Sequence, residues 1–522
     1  MTSSDIVGNS ESITATDNSE LPHHRSPVSI LVYNQFADLQ TGGSGEFENT
    51  MTSIRNTYVT AQTVFTYENL TDFTELEAKL WEYDIFLIPE QEYLSLENIS
   101  DIADVWGPIL NEWANAGGIV ILMDCYSGSL GDGPTSRIYN QTGLMNIEPY
   151  LAVSSTTVYN VNLTSALTQG VAATWDTANG GLLFNTTDGD IVVDDGTYAY
   201  VAHKVMGKGH VVMLGFDMFT IGGNESIILA NAIRLHHNIV FDQSHSATYG
   251  INNQFSSLVE DLQFMGFACS AMTTFNPSYL QAADVLVLFS SYDMYTPSEV
   301  SVIEVFVEGG GGLFVATDWN IYGDQLDPVI EAFGFARNKT DPLRDSDDFV
   351  GNTAQFALNG ENIIFHSATM LVNSVEIYGG TGFVQLPDDA VPLIVTDSDG
   401  TATFDNEMIA NRTPVSAALT VGVGRIIVFG DTNAMDDTSD TDSDGQTNYD
   451  DANNDLFFMN SFRWLSAAGL EEVSVVFDQS HSPNFTIAGS LLGIARLMTL
   501  NGFTIYRIYS LLGFGTEDTS LG

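Results

Sequence analysis

Two stretches of this chain open with the same seven residues. Val240-Phe241-Asp242-Gln243-Ser244-His245-Ser246 returns as Val476-Phe477-Asp478-Gln479-Ser480-His481-Ser482. Each comes after a short β-type run and leads into a helical pattern, then a glycine (Gly266 or Gly502), then a second apolar run. Strand, loop, helix, Gly, strand is the rhythm of a βαβ unit. An earlier copy opens at Ser29-Ile30-Leu31-Val32-Tyr33-Asn34-Gln35, without the histidine.

The first two copies stay in step downstream. Tyr83-Asp84-Ile85-Phe86-Leu87-Ile88 matches Ala283-Asp284-Val285-Leu286-Val287-Leu288, and Gly117-Gly118 before Ile119–Asp124 matches Gly311-Gly312 before Leu313–Asp318. Both copies close on a Gly-x-Gly run, Gly207-Lys208-Gly209 or Gly422-Val423-Gly424, with a strand and a helix after it. Apolar runs without alternation, separated by helices, predict mainly parallel sheets covered by helices on both faces. The fold class expected is therefore α/β, as tandem open sheets. A disordered polar N-terminus covers 1–27, repeat 1 covers 28–238 and repeat 2 covers 239–470. An incomplete third repeat covers 471–522, which must dock on repeat 2, pair with another chain or belong to a longer parent.

In repeat 2, Phe241-Asp242-Gln243-Ser244-His245, Thr317-Asp318-Trp319-Asn320 and the run from Gly424 through Gly430-Asp431-Thr432-Asn433 to Asp437 occur in that order. Together they resemble the region after the catalytic domain of the membrane-bound transcription factor site-1 proteases, a subtilisin-like family. That region belongs to the class-I glutamine-amidotransferase-like, flavodoxin-like folds, which include non-catalytic domains of intraflagellar-transport and gliding-motility proteins. The resemblance covers repeat 2 well, repeat 1 loosely and the third repeat only at its opening. It implies an accessory module, with a protein partner or an adjoining protease domain, because no subtilisin-type Ser, His and Asp segments occur in the chain.

An amidotransferase would carry a nucleophilic cysteine on a strand-to-helix turn. Cys125 comes directly after such a strand, but Trp319 takes its place in repeat 2 and no His-x-Glu pair comes later. A thiol needs a base or cation nearby to become thiolate, so Cys125 is read as a half-buried structural thiol, with a hydrolase or amidotransferase that uses Cys125 as the alternative. Asp242, His245, Asp318 and Asp431 each end or closely succeed a strand, where open α/β sheets bind ligands. Two readings stand for them: a ligand or metal cluster, or loops tied to the sheet by hydrogen bonds.

The segment Asp440-Thr441-Asp442-Ser443-Asp444-Gly445-Gln446-Thr447-Asn448-Tyr449-Asp450-Asp451 has the spacing of a calcium loop. Asp440, Asp442 and Asp444 stand at positions 1, 3 and 5, with glycine at 6, the Gln446 carbonyl at 7, Asn448 at 9 and Asp451 at 12. Calcium takes hard oxygen ligands at this spacing. Asp at position 12 in place of Glu, and the lack of EF-hand helices, predict a weak site of the kind found in extracellular proteins.

The formal charge of −52, from 15 Lys and Arg against 67 Asp and Glu, repels nucleic acids and anionic headgroups. It favours saline or calcium-containing surroundings. Asn-x-Ser/Thr sequons from Asn69 to Asn484 point toward export, yet the polar N-terminus shows no signal peptide and no run is long enough to span a bilayer. An extracellular or cell-surface protein is expected, with the cytoplasm left open.

Overall fold

The computed structural model describes residues 28–40, 45–60, 62–124, 126–127, 131–178, 180–245, 249–345, 349–397, 403–404, 407–408, 412–467, 474–478 and 504–508. The expected N-terminal tail, Cys125, and the third repeat's helix with His481 lie outside the described residues.

Repeat 1 is built on β1 (Val28–Tyr33), β2 (Phe65–Leu70), β3 (Ile85–Ile88), β4 (Ile119–Met123), β5 (Ala199–Met206) and β6 (Gly209–Leu214). Their order across the sheet is β2-β1-β3-β4-β6-β5, parallel from β2 to β6 and antiparallel at β5. Repeat 2 uses β7 (Asn238–Asp242), β8 (Ala268–Met272), β9 (Val285–Phe289), β10 (Gly312–Ala316), β11 (Ser374–Tyr378), β12 (Val391–Val395), β13 (Pro414–Val421) and β14 (Gly424–Phe429). Its sheet runs β8-β7-β9-β10-β14-β13-β12, with the same parallel stretch and the same antiparallel change after it. Strand β11 stands apart, in a hairpin with Gln355–Asn359.

Each parallel strand buries both faces, which is why it reads as an apolar run. In β1, Ile30 and Val32 join one core while Leu31 and Tyr33 join the core on the other side. In repeat 1, α1 (Glu46–Thr57) and α3 (Gly223–Arg234) cover one face of the sheet, and α2 (Leu96–Ala116) covers the other. The helices of repeat 2 divide likewise. In β7, Ile239 and Phe241 face α4 (Ser256–Phe264) and α6 (Asn454–Ser466), and Val240 faces α5 (Pro297–Glu308).

The shared motifs have shared duties. Asp84 accepts the Ser29 N–H at 2.8 Å, and Asp284 accepts the Asn238 N–H at 2.7 Å, so each carboxylate fastens the start of the first strand. At Gly424 a Cβ would lie 1.8 Å from the Val307 carbonyl oxygen, and at Gly209 one would lie 2.2 Å from that of Gly118. Only glycine lets the returning strand pass so close to the preceding helix end.

Beyond β4 and β10 the two repeats diverge. In repeat 1 the sheet grows by antiparallel strands Asp190–Asp194, Thr157–Asn160 and Thr174–Asp176, while Gly181–Thr186 pairs with Ile147–Val153. The repeats meet through bonds such as Ala271 N–H to Thr164 O (2.9 Å) and Thr60 Oγ1 to Phe264 O (3.0 Å). After repeat 2, Ser474–Asp478 and Thr504–Ile508 form a separate parallel pair.

Candidate functional site

The C-terminal rim of the second sheet carries the residues singled out in the sequence. Asp242 ends β7, and its buried carboxylate accepts four bonds. The donors are Ser244 N–H (2.8 Å), Ser244 Oγ (2.6 Å), Tyr295 Oη (2.6 Å) and His245 Nδ1 (2.9 Å). His245 Nε2 lies 3.5 Å from Glu299 Oε2, and the ring stacks on Tyr295 with centroids 3.8 Å apart. Glu299 also closes a capping box with Thr296 at the start of α5. Burial opposes charge on both members of the pair, but the facing groups outweigh it: the Asp242 carboxyl is lowered and the His245 imidazole raised. This is a charged clamp that ties the loop after β7 to α5.

Asp318 and Asp431 form a second, separate pair. Asp431 accepts the Tyr378 N–H and the Asn433 N–H (2.9 Å), which spends it on backbone. Asp318 accepts the Trp319 N–H at 2.7 Å. Burial pushes Asp431 up to about 6; burial and the neighbouring Asp431 charge raise Asp318 well above the carboxylate range. Of the four rim residues only Asp318 lines the pocket there, a cleft of about 220 Å³ shared with Tyr249, Ser290, Ser291, Tyr292, Trp319, Tyr322 and Asn433. The expected four-residue cluster is thus two pairs with different environments.

The acidic loop lies after β14. Gly445 (φ 98°) and Ser443 (φ 68°) take left-handed conformations that curl it back on itself. Asp440 accepts the N–H groups of Asp444 (3.1 Å) and Gly445 (3.2 Å), and Asp444 accepts that of Gln446 (2.8 Å). Carboxylate oxygens of Asp440, Asp442 and Asp444 lie within 4.8 Å of one another, as do those of Glu376, Asp442 and Asp451. Asp442 joins the two triads.

Glu376 is the residue that sequence reasoning missed. It lies on β11, two residues from Tyr378, whose hydroxyl donates to Glu376 (2.9 Å) and to Asp451. The signal available was alternation: Val375 and Ile377 enter the core, which turns Glu376 the other way. Asn448 Oδ1 accepts the Thr441 N–H (3.0 Å) and its amide donates to the Asn433 carbonyl (3.1 Å), so it also braces the loop. The Gln446 side chain donates to Asp444 (3.1 Å), leaving its carbonyl as the group for position 7.

Asp451 tests whether these residues fit a cation. It is 1% exposed, one oxygen takes the Tyr378 hydroxyl, and the other is buried with no hydrogen-bond partner. Burial, with the charges of Asp444, Asp442 and Asp440, pushes it up to about 6 against the Tyr378 bond; burial and the charges of Asp451, Asp442 and Asp444 raise Glu376. A divalent cation would reverse each of these penalties. The residues fit.

The described cysteine, Cys269, is buried, and burial pushes its thiol far above the range of a nucleophile. A third acidic group, Glu46, Glu90 and Asp217, lies in repeat 1 and carries no loop motif.

No protein-family model and no curated protein matches the chain. Among solved structures it is similar to the mmIFT52 N-terminal domain, at 16% identity and TM-score 0.37, over 45% of this chain and 99% of that one. A ThuA-like protein from Bacteroides uniformis matches at 15% identity and TM-score 0.28, over 41% and 91% of the two chains. A β-galactosidase from Bacillus circulans sp. alkalophilus matches at 12% and 0.25, over 39% and 30%. Likenesses this distant carry no argument about function.

Proposed function

We propose that this chain is a non-catalytic binding and scaffolding module of tandem class-I glutamine-amidotransferase-like units, working outside the cytoplasm, whose second unit is stabilised by calcium. The observation that carries the reading is the buried, unpartnered oxygen of Asp451 beside Glu376 and Asp442. An uncompensated carboxylate in such a place costs stability unless a cation completes it. Asp440, Asp442, Asp444, Asp451 and Glu376, with the Gln446 carbonyl, supply the hard oxygen set that calcium takes. Because Glu376 belongs to β11, the cation would fasten the loop to the body of repeat 2. Loops of this kind in extracellular modules bind at roughly 10⁻⁴–10⁻³ M, which suits a setting where calcium is plentiful. The scaffolding part is supported by His245, which is engaged by Asp242, Tyr295 and Glu299 and so acts as a fastener.

Thermal melting of the full chain in EDTA and in millimolar calcium chloride tests this. At about 10 mM calcium, roughly ten- to a hundredfold above that Kd, stabilisation of about 1.4–2.7 kcal/mol is expected. The increment should vanish in Asp440→Ala/Asp444→Ala and in Asp451→Asn. An unchanged melting temperature in the unmodified protein defeats the calcium reading.

A further inference from the structure

The pocket between Tyr292, Trp319, Tyr322 and Asp318 is left unused by that reading. It lies outside the carboxyl ends of β7, β9, β10 and β14, at the place where strand order reverses, which is where open α/β sheets receive small molecules. We propose that this pocket binds the ring of a neutral sugar. The inference stands independently of calcium.

The lining combines two chemistries. Tyr292 is 62% exposed and Tyr322 46%, although a soluble surface gains nothing by showing such rings to water. Trp319 stands across Tyr322 with ring centroids 6.2 Å apart at 60°, so the two make a corner rather than a flat patch. A pyranose offers one face of C–H groups to such rings and an edge of hydroxyls to polar groups. Those polar groups are present: one Asp318 oxygen, the Trp319 indole N–H and the Tyr292 and Tyr322 hydroxyls have no hydrogen-bond partner among the described residues.

Charge narrows the ligand further. No Lys or Arg lines the pocket, which leaves nothing to receive a phosphate or carboxylate. Burial and the neighbouring Asp431 charge raise the Asp318 carboxyl, and its oxygens suit a ligand hydroxyl. A permethylated ammonium would fit the aromatic rings but would waste the hydroxyl-seeking groups. The volume, about 220 Å³, matches a single ring rather than a long chain.

The rim is also held in place before any ligand arrives. Asn320 adopts φ 53°, and its carbonyl accepts Arg337 Nη2 at 3.2 Å from inside the fold. At Gly323 a Cβ would lie 2.3 Å from the Asp318 carbonyl, so the loop folds tightly beneath the aromatic corner. Asn433 is fixed at both ends, by the Tyr249 hydroxyl (2.5 Å) and the Tyr378 carbonyl (3.1 Å). Preorganised walls lower the cost of ordering a ligand.

Saturation-transfer NMR on the full chain tests the proposal, with millimolar methyl α-D-mannopyranoside, methyl β-D-glucopyranoside and methyl β-D-galactopyranoside. Choline and sodium glucuronate serve as charged comparators. At least one glycoside should receive saturation at its ring protons. Tyr322→Ala, at an exposed position that the fold does not need, should weaken that binding by about tenfold, equivalent to about 1.4 kcal/mol. Asp318→Asn should keep it within about threefold, about 0.7 kcal/mol, because the amide still donates and accepts. Three results overturn the proposal: no transfer to any glycoside, transfer undiminished in Tyr322→Ala with Trp319→Ala, or preferred binding of choline or glucuronate.

Discussion

The two sheets share a strand order, but their rims do opposite things with the same aspartate. In repeat 1, Asp124 comes just after β4 and is fully enclosed, accepting the N–H groups of Ser136 (2.6 Å) and Thr135 (3.3 Å). Gln91 seals the neighbouring loop, donating to the carbonyls of Tyr33 and Pro89 and accepting the Phe36 N–H. In repeat 2 the matching Asp318 takes one backbone N–H and lines a pocket. The strands set where an aspartate stands, and the loop chosen to cover it decides whether it caps a turn or meets solvent and ligand.

That contrast can be broken most forcefully at Arg337, which lies on the second rim's supporting loop. Its side chain is 0% exposed and bonds Asp327 (2.8 Å), Asp324 (2.7 Å) and the Asn320 carbonyl. Arg337→Ala removes a fully buried side chain and leaves Asp327 to the half-exposed Lys339 (3.0 Å), so a loss of about 3 kcal/mol, the low end for breaking a buried pair, is expected. Hydrogen exchange should show it as lost protection in repeat 2 while repeat 1 keeps its own. Equal loss in both would mean the two units unfold as one.

A smaller effect distinguishes the matched aspartates directly. Asp124→Ala leaves enclosed N–H groups without an acceptor and should cost about 1–3 kcal/mol in urea unfolding. Asp318→Asn removes a carboxyl that is raised by burial and by Asp431, so the expected change is within about 0.5 kcal/mol of zero or stabilising. A large loss at both positions would erase the distinction between a sealed and an open rim.

The smallest effect is on pH dependence. Asp431 and Asp451 hold their protons up to about 6, against an ordinary value of 3.8. Through these two groups the folded state binds more protons than the unfolded one between these values, while burial of His203, His210 and His366 lowers their pKa and acts in the opposite sense. The share of stability due to Asp431 and Asp451 falls as pH rises from about 4 through 6, then levels. In EDTA, the Tm of Asp431→Asn relative to that of the unmodified protein should accordingly rise from pH 5 to pH 7. Calcium should remove the share due to Asp451. A relative Tm of Asp431→Asn that falls from pH 5 to 7 contradicts this.

Much of the α/β architecture was legible because buried parallel strands leave an unmistakable record: Val285–Phe289 and Ile119–Met123 are apolar at every position. The Gly-x-Gly closures were legible for the same reason, since backbone contact at Gly209 and Gly424 admits no other residue. The acidic loop could be read from spacing because its carboxylates come from one short segment. Glu376 could not, since a hairpin brings it from far upstream. Nor could the sequence separate Asp242 and His245 from Asp318 and Asp431. All four sit at or just past strand ends, and which of them meet depends on loops whose packing has no local signature. The antiparallel extension of repeat 1 is a further case, as its strands are short and partly exposed.

Tyr378 touches both halves of this picture. Its N–H is bonded to Asp431 under the sugar pocket, its carbonyl takes the Asn433 amide in the pocket wall, and its hydroxyl reaches Asp451 and Glu376 in the acidic loop. One residue thus serves as a common strut for two sites. Thermodynamic reciprocity then applies: whatever factor cation binding imposes on affinity at the rim, a ligand at the rim imposes on affinity for the cation.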